Sequence, residues 1–365
     1  MPYFVMKTGM EMFDACRAYG LALVLDTISE VQDLEENETI QDLGMYYSIE
    51  GPSIEEIPDL SNDRTWLGLF DFSQEGWSKP FLTVLQPKER EKKKQKIKEL
   101  LSENISEILE KYKSIHPVEI RSSLSQKEKL KFETLPQSLD TSATKGIKKR
   151  VRNSYDEGQQ TFVPIEDFAL SVLGNVHFIY HKMWKEGANW GSIGILPNPQ
   201  KIVLRNHLEI QEMLGEKYIN NTISTGVTLS HYAVHLAEEL RKKRTDQRAY
   251  ADKYSSLIYN AMMKTGNQWK PISGGLFPLE FLLTLVENNY EISESIFGVW
   301  DNLFRNSVKG REDLALSLSD FIIRPSIDTF EEHIKVHLRY LVDEKVKVRI
   351  YPKKGVLEVF EHVRS

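Results

Sequence analysis

The sequence predicts an α+β protein: a mixed α/β N-terminal domain with a charged connector over residues 1–160, then a mainly helical domain over residues 161–365 with a small β element and a C-terminal hairpin. Three observations predict it. Short apolar stretches broken by glycine and proline fill residues 43–85, whereas apolar residues recur at helical spacing through most of the chain after Thr161. Between these regions, residues 121–161 are polar and rich in Ser, Thr and Lys, the composition of a linker. The length of 365 residues suits two domains.

In chain order, residues 10–26 place Met12, Phe13, Cys16, Tyr19 and Leu23 on one helical face, and Gly20 among them points to close packing. Stretches 45–49, 66–72 and 81–85 read as strands separated by turn residues. Residues 88–113 read as a helix. Its first turns hold seven basic and two acidic residues between Lys88 and Lys98, the pattern of a solvated face, and an apolar stripe from Ile97 to Leu109 follows. Further helices are expected over 165–185, 206–219, 227–245, 248–265, 278–289, 293–306, 311–323 and 328–342. Between the first two, SIGILPNPQKIVLR reads as strand, turn at Pro197 and Pro199, and strand. The tail 346–363 alternates around Lys353-Lys354-Gly355 and reads as a closing hairpin.

Composition narrows function. Cys16 is the only cysteine, so neither an intrachain disulfide nor a thiolate zinc cluster can form, which fits a reducing compartment. No apolar run approaches a membrane span, no signal peptide is evident, and the expected location is cytoplasmic, with no membrane partner. The net charge is −6, but residues 1–80 hold 16 acidic against four basic residues, a balance of −12, which leaves +6 for the rest. Such a split points to an acidic part for protein partners and a basic part for phosphates.

Phosphate-binding loops, a GxSxG elbow and HExxH are all absent. Three histidine pairs spaced four apart, His177/His181, His231/His235 and His333/His337, would each share a helix face and suggest an alternative, a metal-dependent nuclease. Their aromatic and apolar neighbours suit core-edge histidines instead, and the expectation is no catalytic residue, no metal and no cofactor. The basic segments carry the functional expectation. Arg241, Lys242, Lys243 and Arg244 close a helix with more cations than its dipole requires. Lys264, Asn267, Gln268 and Lys270 surround Trp269 in a Gly-bounded loop, combining phosphate contacts, amides for base edges and a stacking platform. Lys148, Lys149, Arg150 and Arg152 add a cluster in the connector. All are candidate DNA-binding residues.

The sequence also resembles a family. FDACRAYGLALVL near the N-terminus, SIGILPNPQKIVLRNHLEIQEML in the middle and YSSLIYNAMMKTGNQWKPISGGLFPLEFL later are similar to the large subunit of type I CRISPR interference (Cascade) complexes, particularly the type I-A kind. The resemblance is diffuse and spans most of the chain. It implies a non-enzymatic subunit that assembles with a guide RNA (crRNA) and other Cascade subunits. Such a subunit helps recognise the flanking motif of double-stranded target DNA, steadies the displaced strand and presents the complex to a helicase-nuclease in antiviral defence.

Overall fold

A computed structural model describes residues 1–34, 37–52, 57–72, 74–82, 86–140, 161–186, 189–246, 252–266, 268–288, 290–342 and 347–364. The protein is α+β. It forms two compact units interleaved in sequence: Met1–Leu208 with Ile258–Gly275, and Glu209–Leu257 with Leu276–Ser365. The 160/161 boundary expected from the sequence falls at the end of residues 141–160, outside the described residues, and the first unit runs on past it.

The sheet, most of whose residues lie in the first unit, consists of β1 (Pro2–Met6), β2 (Thr39–Asp42), β3 (Tyr46–Glu50), β6 (Tyr180–Glu186), β7 (Asn189–Val203), β8 (Lys253–Thr265) and β9 (Gln268–Pro278). The strand order is β1-β3-β2-β7-β8-β9, with β6 also pairing β7. Two short strands, β4 (Phe132–Thr134) and β5 (Phe162–Pro164), form a separate antiparallel pair.

Against the large sheet lies α1 (Glu11–Val31), buried along nearly its whole length and not on one face only, because α5 (Ile165–Phe178) covers its other side. Two glycines set that helix pair. A Cβ on Gly20 would stand 2.0 Å from the Leu170 carbonyl oxygen, and one on Gly174 would stand 1.9 Å from that of Cys16. Only glycine allows backbones to approach so closely. The close packing expected at Gly20 is therefore present, with Gly174 as its counterpart.

The same helix pair encloses a charge network. Arg17, fully buried, donates to Asp14 and Asp167, each at 2.8 Å, and to the Met6 carbonyl at 2.6 Å. Asp167 also accepts from the Tyr112 hydroxyl at 2.6 Å, and Asp14 accepts the Thr8 and Gly9 amides. Tyr112 closes α4 (Pro87–Tyr112), whose stripe Ile97, Leu101, Ile105, Ile108 and Leu109 is buried as its periodicity predicts.

Several expected elements differ. Residues 66–72 and 81–82 are not strands. Asp63 accepts the amides of Thr65 and Trp66 and starts a short helix, α2 (Arg64–Gly68), and α3 (Gln74–Phe81) follows; residues 83–85 lie outside the described residues. The expected turn at Pro197 and Pro199 is absent, because β7 runs straight through them. Its residues 189–195 pair β6 and 201–203 pair β2, and the prolines stand in the gap between those two registers. The helix expected over 165–185 stops at Phe178 and continues as β6. The helix expected over 248–265 is instead β8, lying between β7 and β9. An interior strand buries residues of both faces, and the buried run Ser256–Ile258 with Asn260–Met262 reads like part of a buried helix.

The second unit is helical: α6 (Leu204–Gly215) enters it from the first, then α7 (Thr225–Asp246), α8 (Glu280–Asn288), α9 (Tyr290–Asn306), α10 (Glu312–Ile323), α11 (Ile327–Leu341) and α12 (Lys353–Arg364). Five of these match the expected helices 206–219, 227–245, 278–289, 293–306 and 311–323 closely, and α11 matches 328–342. The expected C-terminal hairpin is not formed, because its 353–364 half is α12. Gly355 is there for closeness and not for a turn: a Cβ would meet Ile296 at 3.0 Å and Pro352 at 2.9 Å. Among the described residues, no helix is long and apolar enough to cross a membrane.

Candidate nucleic-acid interface

The cation run at the end of α7 is neutralised. Arg241 Nη1 lies 3.3 Å from Glu294, Lys242 Nζ lies 2.8 Å from Glu239 and 3.8 Å from Glu238, Lys243 pairs with Glu209, and Arg244 Nη2 lies 3.2 Å from Glu287. Arg241 is also buried. Glu238 and Glu239 stand one helical turn before Lys242, the spacing that favours such pairs. The expectation that these four residues offer free phosphate contacts is corrected accordingly: each meets a carboxylate.

The first unit presents the opposite arrangement. Lys264 and Lys270 flank the β8–β9 turn, where Gly266 adopts φ +62°, and Trp269 stands half-buried between them. The expected Gly-bounded loop is thus the tip of a hairpin. No carboxylate among the described residues pairs with either lysine. Asn267 lies outside the described residues, as do Lys148, Lys149, Arg150 and Arg152, and of Gln268 only the strand position is described.

A second hairpin of the same sheet was not legible. In β6–β7, Lys182 and Lys185 are exposed, Trp190 exposes 43%, and the Lys185 ammonium sits 5.9 Å above the Trp190 ring. On the opposite face Trp184 lies over Gly191, where a Cβ would stand 2.1 Å from the indole. Reading 165–185 as one helix hid the run Lys182-Met183-Trp184-Lys185, in which two lysines flank an aromatic along a strand. α4 adds Lys88, Lys92 and Lys98, which no described carboxylate neutralises. Its Lys96 meets Glu133, yet burial and then the like charges of Lys93 and Lys92 lower its pKa.

The histidine pairs serve the architecture. His177 and His181 do not share a helix: His177 Nε2 donates to the Leu69 carbonyl at 3.1 Å from α5, and His181 Nε2 lies 2.8 Å from Ser192 Oγ in the sheet. His333 and His337 anchor the tail. Trp300 Nε1 donates to the Tyr351 hydroxyl at 2.7 Å, that hydroxyl donates to His333 Nε2 at 2.8 Å, and His337 Nε2 donates to the Arg349 carbonyl at 2.9 Å. Burial pushes His333 down to about 3, so it stays neutral and can accept.

His231, His235 and Asp301 place metal-type ligand atoms within 4.8 Å of one another. Their hydrogen bonds do not fit a metal. His231 Nδ1 accepts the Asn220 amide at 2.9 Å, so the neutral ring carries its proton on Nε2, which donates to Asp301 at 3.0 Å. A ligating histidine instead turns its second nitrogen, as a donor, toward an acceptor. Arg305 donates to both Asp301 oxygens at 2.8 Å and brings a positive charge where a cation would bind. Burial alone would raise the Asp301 carboxyl, but His231, His235 and Arg305 hold it well below the usual range. Burial lowers His231 to about 4, whereas Asp301 and Glu238 outweigh burial at His235 and raise it. The group is a polar clasp between α7 and α9.

The fold and these sites define an α+β protein of two interleaved units whose sheet displays two lysine- and tryptophan-bearing hairpins. The chain belongs to the family of an uncharacterized protein of Archaeoglobus fulgidus, to which it is 34% identical over 99% of this chain and 98% of that protein. The relationship therefore takes in both units. No model of a known protein family matches the sequence.

Proposed function

We propose that the protein is a nucleic-acid-binding subunit of an RNA-guided assembly, the large subunit of a type I Cascade complex, with its phosphate contacts on the first unit. The observation that carries this reading is the pairing of unneutralised cations with accessible indoles on one sheet: Lys264, Lys270 and Trp269 on one hairpin, Lys182, Lys185 and Trp190 on the other. Lysines supply sequence-independent attraction to the backbone, and indoles stack on bases of unpaired strands, as steadying a displaced DNA strand requires. The resemblance in FDACRAYGLALVL supports the family part of the reading through architecture, since Asp14, Arg17 and Gly20 build the α1–α5 core and touch no exposed surface. In this reading guide RNA, double-stranded target DNA, companion Cascade subunits and a helicase-nuclease are the partners, and the chain contributes binding in place of chemistry.

Affinity capture of the tagged full chain from its native cells, followed by RNA sequencing and mass spectrometry, tests the assembly. The expected outcome is recovery of short repeat-derived RNAs with companion subunits. Recovery of the chain free of RNA contradicts it.

A further inference from the structure

At the root of the β6–β7 hairpin the first unit encloses a cavity of about 10 Å³. Its lining includes Lys79 of α3, Asn175 of α5, His181 and Ser192 of the hairpin, and Asn260 of β8. Two atoms of these side chains are unsatisfied. Asn175 is 1% and Asn260 3% exposed, and neither Oδ1 accepts a hydrogen bond from any described residue. The Asn260 amide is fixed in orientation, because its Nδ2 donates to the Gln137 and Ser138 carbonyls at 3.1 Å each and so turns Oδ1 away from them. Buried side-chain acceptors are paired in the great majority of cases, with protein or with ordered water. Two orphans lining one cavity therefore point to a ligand held between them.

The chemistry of the lining selects that ligand. Two carbonyl oxygens call for a donor of two hydrogens and repel an anion. Lys79 brings positive charge, which opposes a metal cation. Burial and then that same charge lower His181 to about 4, so its ring is neutral, and its Nε2 already engages Ser192 at 2.8 Å. A neutral molecule with two hydrogens to give answers both oxygens, and the space admits one of water's size and nothing larger. We propose that this cavity binds a single water molecule, which donates to Asn175 Oδ1 and Asn260 Oδ1 and ties α5 to β8 beneath the root of the hairpin. His181, Met183 and Lys185 share one face of β6, with Ser192 and Trp190 opposite Met183 and Lys185 on β7. The water thus sits under the face that carries the Lys185–Trp190 pair at the tip, and it is held there whether or not the hairpin meets nucleic acid.

Magnetic relaxation dispersion of the water oxygen nucleus, measured on the full-length protein, counts long-lived internal waters. Asn175→Leu and Asn260→Leu remove the carbonyls with little change of shape. Each is expected to lose one such water relative to the wild type, and the double variant to lose the same one and no more. An unchanged count in either single variant, or a loss of two in the double variant, overturns the proposal. Asn260→Leu also gives up the bonds to Gln137 and Ser138, so a crystal structure of the wild-type chain keeps the test independent of the variants' folding. One water within about 2.7–3.2 Å of both Oδ1 atoms is expected there. Both oxygens bonded to protein donors, a separate water on each, or an ion in the cavity overturns the proposal.

Discussion

Two hairpins of the first unit and one helix of the second treat positive charge in opposite ways. In the first unit, Arg17 is sealed inside with two carboxylates, while Lys182, Lys185, Lys264 and Lys270 of the hairpins and Lys88, Lys92 and Lys98 of α4 meet no carboxylate among the described residues. In the second, four consecutive cations on α7 each meet a carboxylate, and the histidine cluster beside them closes on Asp301 and Arg305. The difference teaches that the density of lysine and arginine in a sequence does not measure the charge available to a ligand. What decides is whether a carboxylate lies within reach, one turn back on the same helix or on the helix packed alongside.

The largest expected effect concerns buried groups that refuse a proton. Burial holds His177, His181 and His231 near 4, and His207 and His333 near 3. Once unfolded, these rings titrate near the ordinary value of about 6.5. Below that pH the unfolded chain binds protons that the folded one excludes, so their contribution is complete above it and lost as pH falls toward 4. Each such ring contributes a slope of roughly 1.4 kcal/mol per pH unit. His235, raised by Asp301 and Glu238, acts with the opposite sign and loses its contribution as pH rises through its folded value. Urea denaturation at stepped pH is expected to show stability collapsing between pH 6.5 and 4; a flat profile there would place these rings in solvent.

Next comes Arg17→Met. Removing the guanidinium leaves Asp14 buried without its counter-charge and Asp167 with only Lys111, 3.5 Å away, and a loss of about 3–5 kcal/mol is expected in chemical denaturation. A loss under ~1 kcal/mol would mean that the network is hydrated and would blur the contrast with the surface pairs. Smaller still is Lys264→Ala/Lys270→Ala, which should leave stability within about 0.5 kcal/mol and lower the salt slope of DNA binding by about 2. The smallest effect is expected for Lys243→Ala/Arg244→Ala: under ~1 kcal/mol of stability for two surface pairs, and no change in that slope. A slope change as large as that of the hairpin variant would show that phosphates displace Glu209 and Glu287.

Much of the second unit was legible because its helices are amphipathic and bounded, as in 293–306 and 311–323. The α4 stripe and the tight contact at Gly20 were legible for the same reason: a periodic face or a misplaced glycine is a local signal. Strands β6, β7 and β8 were not. Tyr180–Glu186 follows a helix without a breaker, Pro197 and Pro199 imitate a turn, and in Lys253–Thr265 the apolar residues fall in runs, Leu257–Tyr259 and Ala261–Met263, that hide any alternation. All three depend on partners distant in sequence. The candidate site divides in the same way. Lys264, Trp269 and Lys270 could be named from the sequence, Lys182, Lys185 and Trp190 could not, and the neutralisation of Arg241 and Arg244 comes from Glu294 and Glu287 about fifty residues downstream. Only the Glu238/Glu239–Lys242 pair was written locally.

Fluorescence anisotropy of the full-length protein with a single-stranded and a duplex oligonucleotide, titrated with salt, tests the role of the first unit most directly. Binding is expected to weaken linearly on a log–log salt scale, with a shallower slope when Lys182, Lys185, Lys264 and Lys270 are changed to Ala, and weaker single-strand binding when Trp190 and Trp269 are. Identical salt dependence in the wild type and the lysine variant would remove the hairpins from any contact with phosphate.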